Sequence, residues 1–139
     1  MNGYDDRPEE IAGGLSVLVV EDDVDAAHSY EVLLRLFGHR VTVATDGPTA
    51  VELAATTGPD VALIDIGLPR MDGYGVAARL RAQSDGRRPL LVAVTGYGAD
   101  ADRRRSHEAG IDLHLTKPVD PAALESLLAS LPPPRESPA

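Results

Sequence analysis

Short apolar runs alternate along the chain with stretches of helical periodicity. The apolar runs lie at residues 15–20, 41–44, 61–66, 90–95 and, more weakly, 112–116. The clearest helical repeat is the last one, where leucines recur at i, i+3, i+4 and i+7, at Leu124, Leu127, Leu128 and Leu131. Further helices are predicted over 24–37, 48–57, 72–83 and 99–109, the last of them polar nearly throughout. The pattern therefore predicts five strands, each followed by a helix.

This alternation predicts the fold class. Strands that are separated by helices pair in parallel, and the helices cover both faces of the sheet. Because the crossovers are right-handed, a doubly wound sheet is favoured, and the common order for five strands is 2-1-3-4-5. We therefore expect an α/β fold with a ligand site beyond the carboxyl ends of strands 1 and 3, where the winding reverses.

The two ends of the chain depart from the pattern. Residues 1–14 are polar and acidic, and residues 132–139, PPPRESPA, cannot continue a helix. We expect two flexible tails around one domain over 15–131. The chain has no Cys, a net charge of −9 and no apolar run of about 20 residues. These features argue against disulfides, thiolate zinc sites, binding to nucleic acid and a membrane span, and a cytoplasmic protein is expected.

An acidic cluster follows the first strand. Asp22 and Asp23 come just after it, and Asp65 ends strand 3 inside an apolar run, where an unpaired charge is costly. A single acid after a strand is most often a helix N-cap. However, these two strands flank the point where the winding reverses, so we expect the three carboxylates to converge. Such a set suits a hard divalent cation, above all magnesium.

Two further side chains end strands on the same edge of the sheet. Thr95 ends strand 4, and Lys117 lies near the end of strand 5. Taken singly, they read as a turn-capping strand residue and a solvated lysine. Together, a hydroxyl and an ammonium beside a carboxylate and a metal site match the requirements of phosphoryl transfer. The bond between Lys117 and Pro118 is a candidate cis peptide.

The blocks VLVVEDD, ALIDIGLPRMDGYG, AVTGYG and HLTKPVD resemble, in order and spacing, the signature blocks of bacterial response-regulator receiver domains. The resemblance covers residues 15–131 and implies a flavodoxin-like receiver fold. It also implies a role for each site residue: Asp65 as phosphoacceptor; Asp22, Asp23, Asp65 and the backbone carbonyl of Gly67 as ligands of Mg²⁺ or Mn²⁺; and Thr95 and Lys117 as the groups that bind the phosphoryl oxygens.

The resemblance also implies partners. The phosphoryl donor would be a histidine kinase or a histidine phosphotransfer protein, with acetyl phosphate as a small substitute. Phosphorylation would switch the surface formed by the last two helices and strand 5. The length leaves no room for a DNA-binding domain, so we expect output by protein contact, from a monomer or weak homodimer that is not an enzyme. A standalone regulator, a phosphorelay intermediate and the receiver of a hybrid kinase all remain open.

Three positions carry weaker signals. His114 stands where the family usually has Tyr or Phe, and a switch role and a partly exposed strand residue are equally good interpretations. Gly67 and Tyr97 lie two residues after the phosphoacceptor and the threonine, at positions that tune the lifetime of the phosphoryl group in the family. The absence of a side chain on Gly67 and the shielding ring of Tyr97 favour a long-lived phosphoryl group.

Two other classes of function stay open. The chain could be a pseudo-receiver that serves only as an interaction module. The stretch DVD at 23–25 also resembles the Asp-x-Asp of haloacid-dehalogenase-like phosphatases, although the chain is short for that family. The position of the phosphoryl group distinguishes the three: on Asp65 in a receiver, on an acid after strand 1 in a phosphatase, and nowhere in a pseudo-receiver.

Overall fold

The computed structural model describes residues 14–66, 72–84, 89–96 and 103–131. Within these ranges strands and helices alternate as the hydrophobic pattern predicts. The elements are β1 (Ser16–Val20), α1 (Val24–Leu36), β2 (Arg40–Ala44), α2 (Gly47–Thr57), β3 (Val61–Asp65), α3 (Gly73–Gln83), β4 (Leu90–Thr95), α4 (Arg103–Ala109), β5 (Leu113–Thr116) and α5 (Pro121–Ala129). The first residues of the helix predicted over 99–109 lie outside the described ranges.

The strands form one parallel sheet in the order β2-β1-β3-β4-β5, which confirms the predicted α/β fold and strand order. In the ladder, Asp65 pairs with Val94, and Thr95 pairs with Thr116. The carboxyl ends of β3, β4 and β5 are therefore level with one another. They place Asp65 and Thr95 at the edge where the predicted site lies.

Side chains that alternate along the strands form two cores, one on each face of the sheet. The core under α2 and α3 contains Leu18, Val20, Ala62 and Ile64 from β1 and β3. The opposite core, under α1 and α5, contains Val17, Val19, Val61 and Leu63 from the same strands, together with Leu34, Leu124 and Leu128 from the helices. By this alternation Glu21 and Asp65 continue the row that faces α1 and α5, which is the face that matters for the site.

Aspartates open most of the helices. Asp23, Asp46 and Asp120 each accept a hydrogen bond from a backbone N–H in the first turn of α1, α2 and α5. Asp72 stands before α3 without such a bond. A carboxylate at this position satisfies an otherwise unpaired N–H group and interacts favourably with the helix dipole. Part of the acidic excess of the chain therefore serves to begin helices.

None of the helices in the described ranges is long and apolar enough to cross a membrane.

His39 makes the fold sensitive to acid. It is buried, and its Nδ1 accepts a hydrogen bond from the Leu15 N–H at 3.0 Å, so the ring must be neutral at that nitrogen. Burial lowers the pKa of His39 below 6.5. Since the unfolded chain then binds a proton more readily than the folded one, we expect stability to fall as the pH drops below about 6.5.

Urea unfolding at pH 7.5 and pH 5.5 measures this effect. His39→Gln removes the titrating ring and should lose less stability between the two pH values than the unsubstituted protein. His28→Gln, at an exposed position of α1, is the matched control and should behave like the unsubstituted protein. An equal loss in the His39 variant would show that another group causes the acid sensitivity.

Candidate functional site

Asp65 is the centre of the site. It is the last residue of β3 and only 2% exposed. Its Oδ2 atom lies 2.5 Å from the Nζ atom of Lys117. The contact is an ion pair without hydrogen-bond geometry, and neither oxygen of Asp65 accepts a hydrogen bond from a backbone N–H or an alcohol hydroxyl of the described residues. The ammonium of Lys117 is therefore the main group that offsets the buried charge of Asp65.

Glu21 is the acid that the structure places beside Asp65. It follows β1 directly, is 2% exposed, and its N–H donates to Ala44 O at 3.0 Å, which extends the ladder by one residue. Burial, and after it the neighbouring carboxylate of Asp65, which can share a proton with Glu21, together raise the pKa of Glu21 to about 7. The sequence did not single out Glu21 as a site residue, although its alternation with Val17 and Val19 points it to the same face as Asp65.

The other two acids after β1 lie differently. Asp23 is exposed and accepts a hydrogen bond from the Asp25 N–H at 3.1 Å, as the N-cap of α1. This is the role that a single acid after a strand most often has. Its own N–H donates to Glu21 Oε2 at 3.1 Å and so helps to hold Glu21. Asp22, between them, is half-buried with Oδ2 turned away from solvent. The structure therefore places Glu21 where the sequence analysis placed Asp23.

Lys117 and Thr95 stand at the ends of the next strands. The Lys117 N–H donates to Thr95 O at 2.8 Å, which joins the ends of β4 and β5, and the side chain reaches Asp65 as the sequence predicts. The hydroxyl of Thr95 is buried and donates to Leu115 O at 3.5 Å, a long bond directed at β5. The Lys117–Pro118 peptide, the candidate cis bond, is cis.

The weaker candidates are placed only in part. Nε2 of His114 lies 2.9 Å from the hydroxyl oxygen of Ser106 on α4, a partner that the sequence did not reveal. Gly67 and Tyr97, the positions expected to tune the phosphoryl lifetime, lie outside the described residues, and so does the Gly67 carbonyl expected to bind the metal.

The chemistry of the donor set fits magnesium. Asp65 offers two buried oxygens, and Glu21 and Asp22 add further carboxylate oxygens, the hard ligands that Mg²⁺ prefers. Mg²⁺ usually keeps several waters, so one or two carboxylates are enough. As the side chains stand, no group of three acidic or histidine residues in the described ranges is close enough to hold a metal. The predicted metal site of Asp22, Asp23 and Asp65 stays a prediction.

The raised pKa of Glu21 has a consequence for stability. Because the folded protein binds this proton more tightly than the unfolded chain, Glu21 destabilises the fold progressively as the pH rises from about 4.5 through about 7. Glu21→Gln should therefore resist urea better than the unsubstituted protein at pH 8 in EDTA, and its advantage should shrink by pH 5.5. Glu52→Gln on the exposed side of α2 is the control. A Glu21 variant that is less stable at pH 8 would contradict this account.

Known proteins resemble this chain in sequence and fold. The model of the family described as the response regulator receiver domain matches residues 17–129. A probable transcriptional regulator, ycf27, of Cyanophora paradoxa is 34% identical over 115 residues, which are 83% of this chain and 47% of that protein. The response regulator PleD of Caulobacter vibrioides is 35% identical over 115 residues, 82% of this chain and 25% of PleD. The chain thus spans half or less of these two relatives.

Among solved structures, the receiver domain of the sensor histidine kinase PA1611 from Pseudomonas aeruginosa PAO1 is 37% identical. It has a TM-score of 0.73, and the match covers 83% of this chain and 94% of that one. That structure has a magnesium ion coordinated in its active-site cleft. Because the family model covers most of the chain, and the strand order agrees with it, the chain belongs to the response regulator receiver domains of two-component signalling.

Proposed function

We propose that Asp65 is a phosphoacceptor, to which a phosphohistidine of a histidine kinase or phosphotransfer protein gives its phosphoryl group. The observation that carries the proposal is the buried Asp65 carboxylate with an ammonium 2.5 Å away, at the point where the winding of the sheet reverses. A carboxylate oxygen attacks phosphorus, the bond from phosphorus to the donor's imidazole nitrogen breaks, and an acyl phosphate is left on Asp65.

A divalent cation would assist this phosphoryl transfer to Asp65. Asp65, Asp22 and Glu21 would hold Mg²⁺, or Mn²⁺, which takes the same oxygen ligands. Asp23 is left out because its side chain caps α1, and the Gly67 carbonyl is added on resemblance alone. When bound, the cation neutralises charge on the acids and on the phosphoryl group. Glu21 and Asp65 would then no longer need Lys117 alone to offset their repulsion.

Lys117 and Thr95 would bind the phosphoryl oxygens. The ammonium of Lys117 exchanges a carboxylate oxygen for a phosphoryl oxygen, so its charge stays paired. The hydroxyl of Thr95 gives up a bond of 3.5 Å to Leu115, which is weak and costs little to break. Because the backbone of Thr95 is joined to Lys117, movement of the threonine shifts the surface of α4, β5 and α5, which we propose as the output surface.

The same features argue against the two alternatives. A phosphatase with its nucleophile after β1 would need Asp23 or Asp25 free in the site, but both are exposed at the start of α1, where Asp23 is the cap. A pseudo-receiver would not need a buried Asp65 paired with the ammonium of Lys117. We therefore propose a signalling domain that assists its own phosphorylation and dephosphorylation, with a long-lived phosphoryl group, and is not an enzyme in its own right.

Intact mass after incubation with acetyl phosphate tests the proposal. We expect one added phosphoryl group that requires Mg²⁺ and is absent in Asp65→Ala. The Mg²⁺ concentration for half-maximal phosphorylation should rise at least about tenfold in Glu21→Gln and Asp22→Asn, since each removes a charged ligand.

Asp23→Asn is the matched control because an amide also serves as an N-cap, and its Mg²⁺ requirement should be unchanged. If this Mg²⁺ concentration rises tenfold in Asp23→Asn and does not change in Glu21→Gln, Asp23 and not Glu21 is a metal ligand. A phosphoryl group that persists in Asp65→Ala would overturn the proposal.

The donor needs a surface beside Asp65, and α1 provides one. Three of the four exposed large apolar side chains in the described ranges lie on this helix: Val24 at 68%, Val32 at 45% and Leu36 at 77%. They fall within about 120° of the helix circumference, and α1 begins three residues after Glu21. An apolar stripe of this kind fits a partner that presents an apolar helix, and we propose that the histidine-bearing protein docks there.

Two phosphodonors separate docking from chemistry. In Val32→Glu and Leu36→Glu, transfer from a phosphorylated histidine phosphotransfer protein should slow at least tenfold, because a carboxylate would have to be desolvated in the interface. Transfer from acetyl phosphate should stay within twofold of the unsubstituted rate. Glu52→Lys on α2 is the surface-charge control. If transfer from both donors slows equally, the stripe is part of the fold and not of the interface.

A further inference from the structure

α4 is held to the domain by few apolar contacts. Of its described side chains, only Ser106 and Ala109 are buried, and the four others, Arg104, Arg105, His107 and Glu108, are exposed. Ala109 contributes a single methyl group. Ser106 is 2% exposed, and a buried hydroxyl is costly unless it has a hydrogen-bond partner. The position of α4 therefore depends strongly on what Ser106 contacts.

That partner is His114 on β5, whose Nε2 lies 2.9 Å from the Ser106 hydroxyl oxygen. In the ladder His114 pairs with Ala93, and Thr116 pairs with Thr95. Since side chains alternate along strands, Ala93, Thr95 and His114 lie on the same face of the sheet, the face on which α4 packs. The bond to Ser106 thus lies next to the threonine proposed to bind the phosphoryl group.

A second polar contact ties α4 to α3, and it is weaker. The guanidinium carbon of Arg105 lies 4.3 Å from the centre of the Tyr74 ring, and a guanidinium nitrogen lies 3.8 Å from Asp72 Oδ1. The side chains of Arg105 and Asp72 are both more than half exposed, so salt and water screen their attraction. Ser106, by contrast, is 2% exposed, although its partner His114 is exposed on the other side of the bond.

We propose that the hydrogen bond between Ser106 and His114 is a latch that fixes α4 on β5 and makes the helix follow His114. An imidazole nitrogen offers Ser106 a partner, which a Phe ring at the same position cannot. Ser106 is then a positioning residue: it contacts neither Asp65 nor a phosphoryl group, and it acts through His114. The response of the latch to phosphorylation rests on the proposed function, whereas its effect on α4 in the unphosphorylated chain does not.

Amide hydrogen exchange of α4 in the full chain, at constant pH, tests the latch. Without phosphoryl donor, Ser106→Ala and His114→Phe should each speed exchange in α4 about fivefold to tenfold, as expected for one hydrogen bond. Together they should add less than twofold to either one alone. His114→Gln, whose amide can still bond to Ser106, should stay within about twofold of the unsubstituted protein. Ser29→Ala, a helical Ser-to-Ala change in α1, is the control.

Phosphorylation supplies the readout that a merely structural role would not change. With acetyl phosphate and Mg²⁺, the exchange of α4 should change in the unsubstituted protein and in His114→Gln. It should no longer change in Ser106→Ala, although Asp65 still gains its phosphoryl group.

Unchanged α4 exchange in Ser106→Ala, or additive effects of the two substitutions, would overturn the latch. If the unsubstituted chain gains no phosphoryl group, the proposed function fails, and the comparison without donor still decides the latch. If Ser106→Ala does not fold, His114→Phe against His114→Gln makes the same comparison.

Discussion

The repulsion between two buried carboxylates is the constraint on which the site depends. Asp65 and Glu21 lie on one face of the sheet, close enough for Asp65 to raise the pKa of Glu21, and Lys117 lies against Asp65. At about 4 Å and an effective dielectric near 20, two such charges repel by roughly 4 kcal/mol. A fold selected for stability alone would avoid this arrangement. Here the repulsion makes the site receptive to a cation, whose positive charge would also offset the charge of a phosphoryl group added to Asp65.

The sheet topology is what brings these charges together. Because β1 and β3 are neighbours and parallel, their carboxyl ends meet, and Glu21 and Asp65 leave the sheet on the same face. Asp23 caps α1, so the helix begins directly after the acids. Glu21 is held in place because its N–H donates to Ala44 O and its carboxylate accepts a hydrogen bond from the Asp23 N–H. The acid that caps the helix and the acid that faces Asp65 are thus different residues with coupled positions.

The sequence predicted most of the fold because strand and helix periodicities are local features of the chain. It also predicted that Asp65 and Lys117 lie beside each other, since both stand at strand ends on one edge of the sheet. It assigned Asp23 rather than Glu21 to the metal site, because three adjacent acids look alike until the end of the strand ladder is known. Counting from Val17 and Val19 in steps of two would have selected Glu21. The partner of His114 could not be predicted, because it depends on how α4 packs. Six of the seven residues of that helix are polar or charged, and the seventh is Ala109.

The weak attachment of α4 to the domain complements the electrostatic repulsion at Asp65. A helix with a large apolar face would not move in response to one phosphoryl group, because several buried side chains would have to be exposed. α4 buries little besides Ser106 and Ala109, and its other contacts, those of Arg105, are exposed, so little free energy holds it in place. The change of charge and partners at Asp65 acts against this small stabilisation. A small local rearrangement along β4 and β5 is therefore sufficient to reposition the helix.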